Sequence, residues 1–440
     1  MQPFTTGARR RGSRLAIGGT FLLMVAASAP SPFYPELTER LGLVPVATTS
    51  VFAVYAFTML GALLVAGGLS DVVGRRPVVT VGSAVLVVSL VLFWQADGLA
   101  ALLVARSLQG VAAGLLLPAL SAMVVDLASP RRPGAAALWN TVAPMTGLGT
   151  GALAGALALD HASEPADLVF GALAAVFLLV AVVVWSAPDV VRVSVARTPW
   201  TVPRLAVPPH VRRRLAVATP AIIAGWATNG LFLALGSSVV ASELGATTHV
   251  RQSIGISVFA VSGIVASVVL RRRTARVVSI FGTSALGAGT ALSVAALTVH
   301  SFPVYLFSAM ILGAGFGTAF MGALQTLMPR VAPSERAAVM AVMYTISYLA
   351  FGVPSIIAGF LVPLVSLAGA MAVLGAVIVG LCLVATVARL RLREDRDLSG
   401  VRAATPTSDR SVRAGDGERV ITRVSNPADP RKARREEKGD

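Results

Sequence analysis

Few residues in this chain can do chemistry at depth, and Arg106 is foremost among them. It lies about seven residues into an apolar run that opens near position 99. A guanidinium is costly in hydrocarbon, so Arg106 is expected to face a cavity or a partner. Snorkelling of its stem toward the interface is the plainer alternative. Gln109 follows at i+3, on nearly the same helical face. No Asp or Glu sits deep in any apolar run, because Glu36, Asp71 and Asp126 fall near run ends. One deep positive charge without a deep acid favours neutral or anionic substrates over cations, and leaves proton coupling to Asp71, Asp126 or another boundary acid. A second cluster reads Gly67-Gly-Leu69-Ser-Asp71-Val-Val-Gly74-Arg75-Arg76-Pro77. Gly74 permits a tight turn, Arg75 and Arg76 anchor it in water, and Asp71 can accept hydrogen bonds from helix ends or pair with an Arg.

Long apolar elements must position these groups. They fall at about 14–35, 46–69, 77–95, 99–127, 134–158, 167–187, 214–241, 250–270, 275–298, 303–328, 335–362 and 366–390. Each is long enough to cross about 30 Å of hydrocarbon as a helix, and helices satisfy every backbone group internally. The composition agrees: of 440 residues, 55% are hydrophobic and only 13% charged, with a mean hydropathy of +0.77. That excludes an ordinary soluble enzyme. The first run is too long for a cleavable leader, and the Ala29-Pro30-Ser31-Pro32 stretch offers no convincing cleavage site.

With the N-terminus placed inside, twenty loop arginines, from Arg9 to Arg336, lie on the inner side, against Arg40 and Arg251 outside. The outer loops collect Glu36, Glu39, Asp97, Asp160, Glu164, Asp167 and Glu243. The pattern fixes both termini in the cytoplasm of a multi-pass protein of the plasma membrane, and it reads the net charge of +16 as orientation rather than a nucleic-acid footprint. Expected segments are a cytoplasmic N-terminus (1–13), a six-helix bundle (14–187), a Pro- and Arg-rich cytoplasmic loop (188–213), a second bundle (214–390) and a disordered cytoplasmic tail (391–440). The bundles look like repeats: Arg14-Leu-Ala and Arg214-Leu-Ala, Ser50-Val-Phe-Ala-Val and Ser257-Val-Phe-Ala-Val, Gly110/Gly114 and Gly313/Gly317, Ser129-Pro-Arg-Arg132 and Pro333-Ser-Glu-Arg336.

The 67–77 cluster resembles the signature between helices two and three of the major facilitator superfamily, matching at Gly67, Leu69, Asp71, Gly74, Arg75 and Arg76, with Val72 replacing a usual basic residue. Arg106-Ser-Leu-Gln109-Gly110-Val-Ala-Ala-Gly114 resembles the family's second motif. Asn140-Thr-Val-Ala143-Pro144-Met-Thr-Gly147-Leu-Gly149-Thr-Gly151 is loosely similar to the Gly-Pro motif of its drug:proton antiporter branch. There Ala143 replaces a glycine, the spacing departs, and structural packing of Pro144, Gly147 and Gly151 is an equal reading. The resemblance implies an all-α membrane fold of twelve helices in two pseudo-symmetric bundles, working by alternating access. It implies an ionic cluster of Asp71, Arg75 and Asp126, with a solvated helix-end carboxylate as the alternative for Asp126.

The resemblance also places a central path among helices 1, 2, 4, 5, 7, 8, 10 and 11. Candidate lining residues are Tyr55, Arg106, Gln109, Asn140, Trp226, Asn229, Phe316, Phe320, Gln325, Tyr344 and Tyr348, with helix packing as the bland alternative. Tyr34 and Trp185 are expected to anchor at the interface. The expected activity is secondary transport of a small molecule, with efflux of amphipathic compounds ahead of proton-coupled metabolite uptake or a non-transporting sensor on the same fold. No cofactor is expected, the proton-motive force is the expected energy source, and a monomer in the bilayer is the expected form. The lone Cys382 allows no disulfide within the chain. His161, His210, His249 and His300 lie far apart in sequence with no evident chemistry, and no phosphate-binding loop marks an ATP-driven pump or enzyme.

Overall fold

A computed structural model describes residues 6–128, 134–188, 205–332 and 335–391. The expected basic-loop residues Arg131, Arg132, Arg192, Arg197 and Arg204, most of the central connection and the tail from 392 onward lie outside the described residues. The described residues build helices α1 (Thr6–Ser28), α2 (Tyr34–Arg40), α3 (Pro45–Ala66), α4 (Leu69–Val72), α5 (Arg75–Trp94), α6 (Leu99–Asp126), α7 (Ala135–His161), α8 (Ala172–Val183), α9 (Pro209–Glu243), α10 (His249–Leu270), α11 (Ala275–Thr298), α12 (Phe302–Leu327) and α13 (Arg336–Arg391). Among the described residues, eleven helical stretches are long and apolar enough to cross a membrane.

The eleventh stretch counts twice. At 56 residues, α13 would be about 84 Å long if straight, far more than a bilayer's thickness. Its backbone leaves helical geometry at Ser366, where φ is 71° and ψ 169°. Pro363 just before it removes a helix donor, and the Ser366 hydroxyl accepts from Gly369 N at 3.2 Å, capping the arm that follows. The two arms match the expected runs 335–362 and 366–390, so the described residues carry twelve spans.

The first span departs from expectation. Its helix starts at Thr6, so Arg9 to Arg14 lie within it, and it stops at Ser28 rather than near 35. Pro30, Pro32 and Pro35 follow closely. The chain makes one tight turn at Ser31–Phe33 and starts the separate short helix α2. The sixth span opens with a π-helical turn, Asp167–Gly171, before α8.

Packing partners repeat between the halves. In the first half α6 packs on α3 and α5, α7 on α1, and α8 on α5; in the second half α12 packs on α10 and α11, and the arms of α13 and helices α9 and α11 complete the set. Small residues make the closest approaches. A side-chain carbon at Gly110 would collide with Tyr55 O and Thr58 Oγ1 of α3, and one at Gly313 with Phe259 O and Ser262 Oγ of α10. The glycine pair of the sequence repeat thus does the same work in both halves. Large apolar side chains such as Val182, Val269, Phe360 and Leu364 point outward and are exposed, as a lipid-facing surface requires.

Two broad seams join the halves, α7 against α10 and α3 against α13. They exchange under the repeat relation. Gly149 of α7 lies against Ser257 and Ala260 of α10, and Ser257 Oγ donates to Gly149 O at 2.8 Å. In the other seam Phe52 stacks on Phe351 with ring centroids 5.0 Å apart, and Gly359 abuts Val46 and Thr49. The loops that carry Arg75, Arg76 and Arg271–Arg273 define a basic end, and those with Asp97, Glu164 and Glu243 an acidic end. The contacts of Gly149 with Ser257, of Phe52 with Phe351 and of Gly359 with Thr49 lie between mid-span and the acidic end. Toward the basic end, residues 61–66 of α3 and 135–142 of α7 include none that is buried.

Candidate functional site

Arg106 on α6 is 1% exposed, which excludes snorkelling. Its Nε donates to Tyr34 Oη at 2.7 Å, and Nη2 donates to the same oxygen. Nη1 donates to Gln109 Oε1 and to Ala27 O at 3.4 Å, and Gln109 Nε2 donates to Ala26 O at 2.8 Å. The early end of α1 explains this arrangement. The last four carbonyls of a helix lack intrahelical donors and carry its negative dipole end. Arg106 and Gln109 supply the missing donors and place a cation where that dipole favours one. The rings of Tyr34, Phe93 and Tyr55 lie 5.3, 5.6 and 5.7 Å from the guanidinium carbon, within cation–π range. No carboxylate is needed to hold the charge.

Tyr34 is therefore not an interfacial anchor. It is 2% exposed, because the turn at Ser31–Phe33 carries the chain back into the bundle. The prolines around it were the available signal. Trp185 behaves as an anchor: it is exposed, with its indole N–H on Thr80 Oγ1 at 3.0 Å.

A ladder of aromatic rings leads from Arg106 across the α3–α13 seam. Tyr34 meets Phe52 at 6.4 Å, Phe52 stacks on Phe351, and Phe351 meets Trp226 of α9 at 6.1 Å. Trp226 is ringed further by Tyr348 at 5.2 Å, Phe316 at 5.8 Å and Phe320 at 6.0 Å, and Tyr344 lies 6.3 Å from Tyr348. Trp226, Phe320 and Tyr344 are partly exposed. Trp226 Nε1 and Asn229 Oδ1 are buried without a hydrogen-bond partner among the described residues. The structure thus gathers Tyr55, Arg106 and Gln109 on one side and Trp226, Asn229, Phe316, Phe320, Tyr344 and Tyr348 on the other. Phe52 and Phe351 join them and went unnoticed in the sequence, where a single Phe in an apolar run carries no signal. Asn140 and Gln325 fall outside this group. Asn140 Nδ2 donates to Ser121 O at 3.3 Å, tying α7 to α6, while Asn140 Oδ1 and Gln325 Oε1, like Asn229 Oδ1, are buried without a partner among the described residues.

At the basic end Gly74 has φ 105° and begins α5, a backbone that glycine adopts at no steric cost. Arg75 reaches Asp71 Oδ1 at 2.6 Å, Asp126 Oδ2 at 3.4 Å and Ser70 Oγ at 2.5 Å. Arg76 donates to Ala187 O beyond α8. Gly67 closes α3 and Leu69 opens α4. The expected trio of Asp71, Arg75 and Asp126 is together. The loosely matched Gly-Pro motif packs α7 onto α1: Gly147 lies against Phe21 and Met24, Gly151 against Val25 and Ser28, and Pro144 is inside the helix.

At the acidic end Asp160 of α7 caps α10 across the seam. Its Oδ1 accepts from His249 N at 2.9 Å and from His249 Nδ1 at 2.8 Å. Its Oδ2 accepts from Val250 N at 2.9 Å. His249 thus has a structural role that sequence reading did not find, because its partner lies 89 positions away.

The sequence profile described as Major Facilitator Superfamily matches residues 16–353. The chain belongs to that superfamily. Among its members, the multidrug resistance protein MdtL of Klebsiella pneumoniae (strain 342) is 35% identical over 98 residues, covering 22% of this chain and 25% of that protein. The uncharacterized MFS-type transporter EfpA of Mycobacterium tuberculosis is 32% identical over 137 residues, covering 31% and 26%. The chain thus spans about a quarter of the length of these relatives. A point variant of the nucleoside transporter NupG shares the fold with a TM-score of 0.69 at 14% identity, over 87% of this chain and 99% of that one. The human organic anion transporter MFSD10 does so at 0.65 and 16%, over 86% and 99%. This is a multi-pass membrane protein of the superfamily, and its family and fold are those of transporters rather than enzymes.

Proposed function

We propose that this protein is a secondary transporter that exports small amphipathic molecules across the plasma membrane by rocking its two halves about the seams. One observation carries the reading: an aromatic, nearly neutral centre lies between two repeat-related halves, and toward the basic end the seam stretches 61–66 of α3 and 135–142 of α7 bury no residue. The basic end faces the cytoplasm in this reading, as the arginine distribution favours, so the centre is approached from the cytoplasm. Breaking the seam contacts at the acidic end while closing the basic end would expose the same centre to the other side. The cluster of Asp71, Arg75 and Asp126, formed within the first half while the basic end is open, braces α4, α5 and α6 as that half moves. The proton-motive force supplies the energy, through a boundary acid such as Asp126.

The short matches to a multidrug resistance protein and to EfpA support the export direction. Uptake of a metabolite is the second reading, favoured by the fold shared with a nucleoside transporter. A growth-inhibition panel in an efflux-deficient host, with and without the gene, separates these readings. Export predicts resistance to a subset of amphipathic compounds, lost when the pH gradient is collapsed. Sensitisation to a toxic metabolite analogue would point to uptake. Absence of flux for every compound in proteoliposomes would leave a sensor and overturn the proposal.

A further inference from the structure

We infer that the aromatic cage around Trp226 takes an uncharged, planar aromatic molecule that offers one hydrogen-bond acceptor and one donor. The inference rests on the transport reading of the same centre and adds the chemistry of its ligand. Four rings from α12 and the first arm of α13 surround the Trp226 indole at centroid distances of 5.2 to 6.1 Å and interplanar angles of 54 to 80°. They meet the indole edge-on or tilted, the geometries in which aromatic rings attract one another, and a flat guest inserted beside it would meet the same rings. Trp226 and Phe320 keep part of their surface open.

Two polar atoms on this face of α9 have no hydrogen-bond partner among the described residues. The indole N–H of Trp226 can only donate. Asn229 stands three residues on, on the same face of α9. It is 6% exposed, and its side-chain oxygen accepts nothing among the described residues. A buried donor and a buried acceptor without partners are each unfavourable, so a guest that pairs with both is preferred over one of the same shape that cannot. Charge selects further. The spans that carry Trp226, Asn229, Phe316, Phe320, Tyr348 and Phe351 hold no acid at this depth, and the nearest deep charge is the positive Arg106, which repels a cation through the low-dielectric interior. Arg106 is itself committed to Tyr34, Gln109 and Ala27, so an anion would have to displace those partners. A neutral heteroaromatic remains.

Equilibrium binding to the purified full-length protein, with no gradient applied, tests this with four probes of similar outline: 2-quinolinone, 1-methyl-2-quinolinone, naphthalene and 1-methylquinolinium. The expected order places 2-quinolinone first. The N-methyl compound, lacking the donor, binds about fivefold to tenfold more weakly, and the cation more weakly still. Asn229→Leu should erase the difference between the two quinolinones. Trp226→Phe keeps a ring but loses the N–H, and should weaken both quinolinones while leaving naphthalene unchanged. Tighter binding of 1-methylquinolinium than of 2-quinolinone overturns the inference in favour of a cation cage. So does a 2-quinolinone affinity unmoved by both substitutions, or no binding of it by protein that transports another compound. Binding as described without flux of any compound would instead refute the transport reading and leave the cage chemistry standing.

Discussion

Arg106 is held by hydrogen bonds rather than by a counter-ion, and that makes its loss consequential in two separable ways. Replacing it with Met roughly keeps the volume but leaves Tyr34 Oη, Gln109 Oε1 and Ala27 O without its donors, at a cost of about 1–3 kcal/mol in stability. Tyr34→Phe keeps the ring but leaves Nε and Nη2 of the buried guanidinium without their shared acceptor, so it should cost at least as much stability while the charge stays in place. We expect Arg106→Met to abolish transport while the protein still reaches the membrane at a lowered melting temperature, and Tyr34→Phe to retain part of the flux. Full transport by Arg106→Met in proteoliposomes would show that the charge serves packing alone. In the ionic cluster, exposure ranks the two acids. The Asp71 side chain is 61% exposed, whereas those of Arg75 and Asp126 are each 13% exposed. An exposed pair contributes about 0–1 kcal/mol, a screened one less. Asp126→Asn should therefore slow conformational exchange more than Asp71→Asn, as read by exchange rates in proteoliposomes; equal effects would contradict the ranking. The motif residues at 67–76 and 106–110 were legible because their spacing is local. Tyr34, Phe351 and the Asp160–His249 pair were not, because each matters through a partner on a distant helix.

The helices themselves were legible from hydropathy to within a few residues for most spans, since crossing hydrocarbon leaves little freedom in length or composition. The exceptions share a cause. Where α1 gives way to α2, proline breaks the helix inside an apolar stretch, so hydropathy continues while the backbone does not. The reversal at Ser366 was found because the chain there must turn back to keep within a bilayer's thickness. Helix contact is the harder layer, and glycine is its one readable sign. Gly110 and Gly61 test it, since both sit in small-residue-rich spans but only Gly110 meets a neighbouring backbone, at Tyr55 O, while Gly61 faces open space. Gly110→Val should part α6 from α3 and sharply reduce the yield of folded protein, whereas Gly61→Val should fold normally. Monodisperse protein in normal yield from Gly110→Val, on size-exclusion chromatography, would show that the approach of the two helices can relax.

At the scale of the whole molecule, two rigid halves joined by two seams can alternate only if the acidic-end contacts break in each cycle. Asp160 is the most specific of those contacts, because its carboxylate satisfies two backbone donors at the start of α10 and the ring of His249. A helix cap of this kind contributes about 0.5–2 kcal/mol, enough to bias the two conformations without fixing one. A covalent bridge would fix one. With Cys382 replaced by Ala, cysteines at 160 and 249 joined by a short reversible bifunctional thiol reagent should arrest transport, and a reductant should restore it. The control lies within one half at the same end. Thr38 and Thr48, whose hydroxyls are 2.9 Å apart, belong to α2 and α3 and should move together, so cysteines bridged there should leave transport intact. Arrest by both bridges would mean that the halves deform internally rather than rock. Transport at an unaltered rate through the 160–249 bridge would mean that the acidic end never opens, and alternating access about these seams could not be how the molecule works.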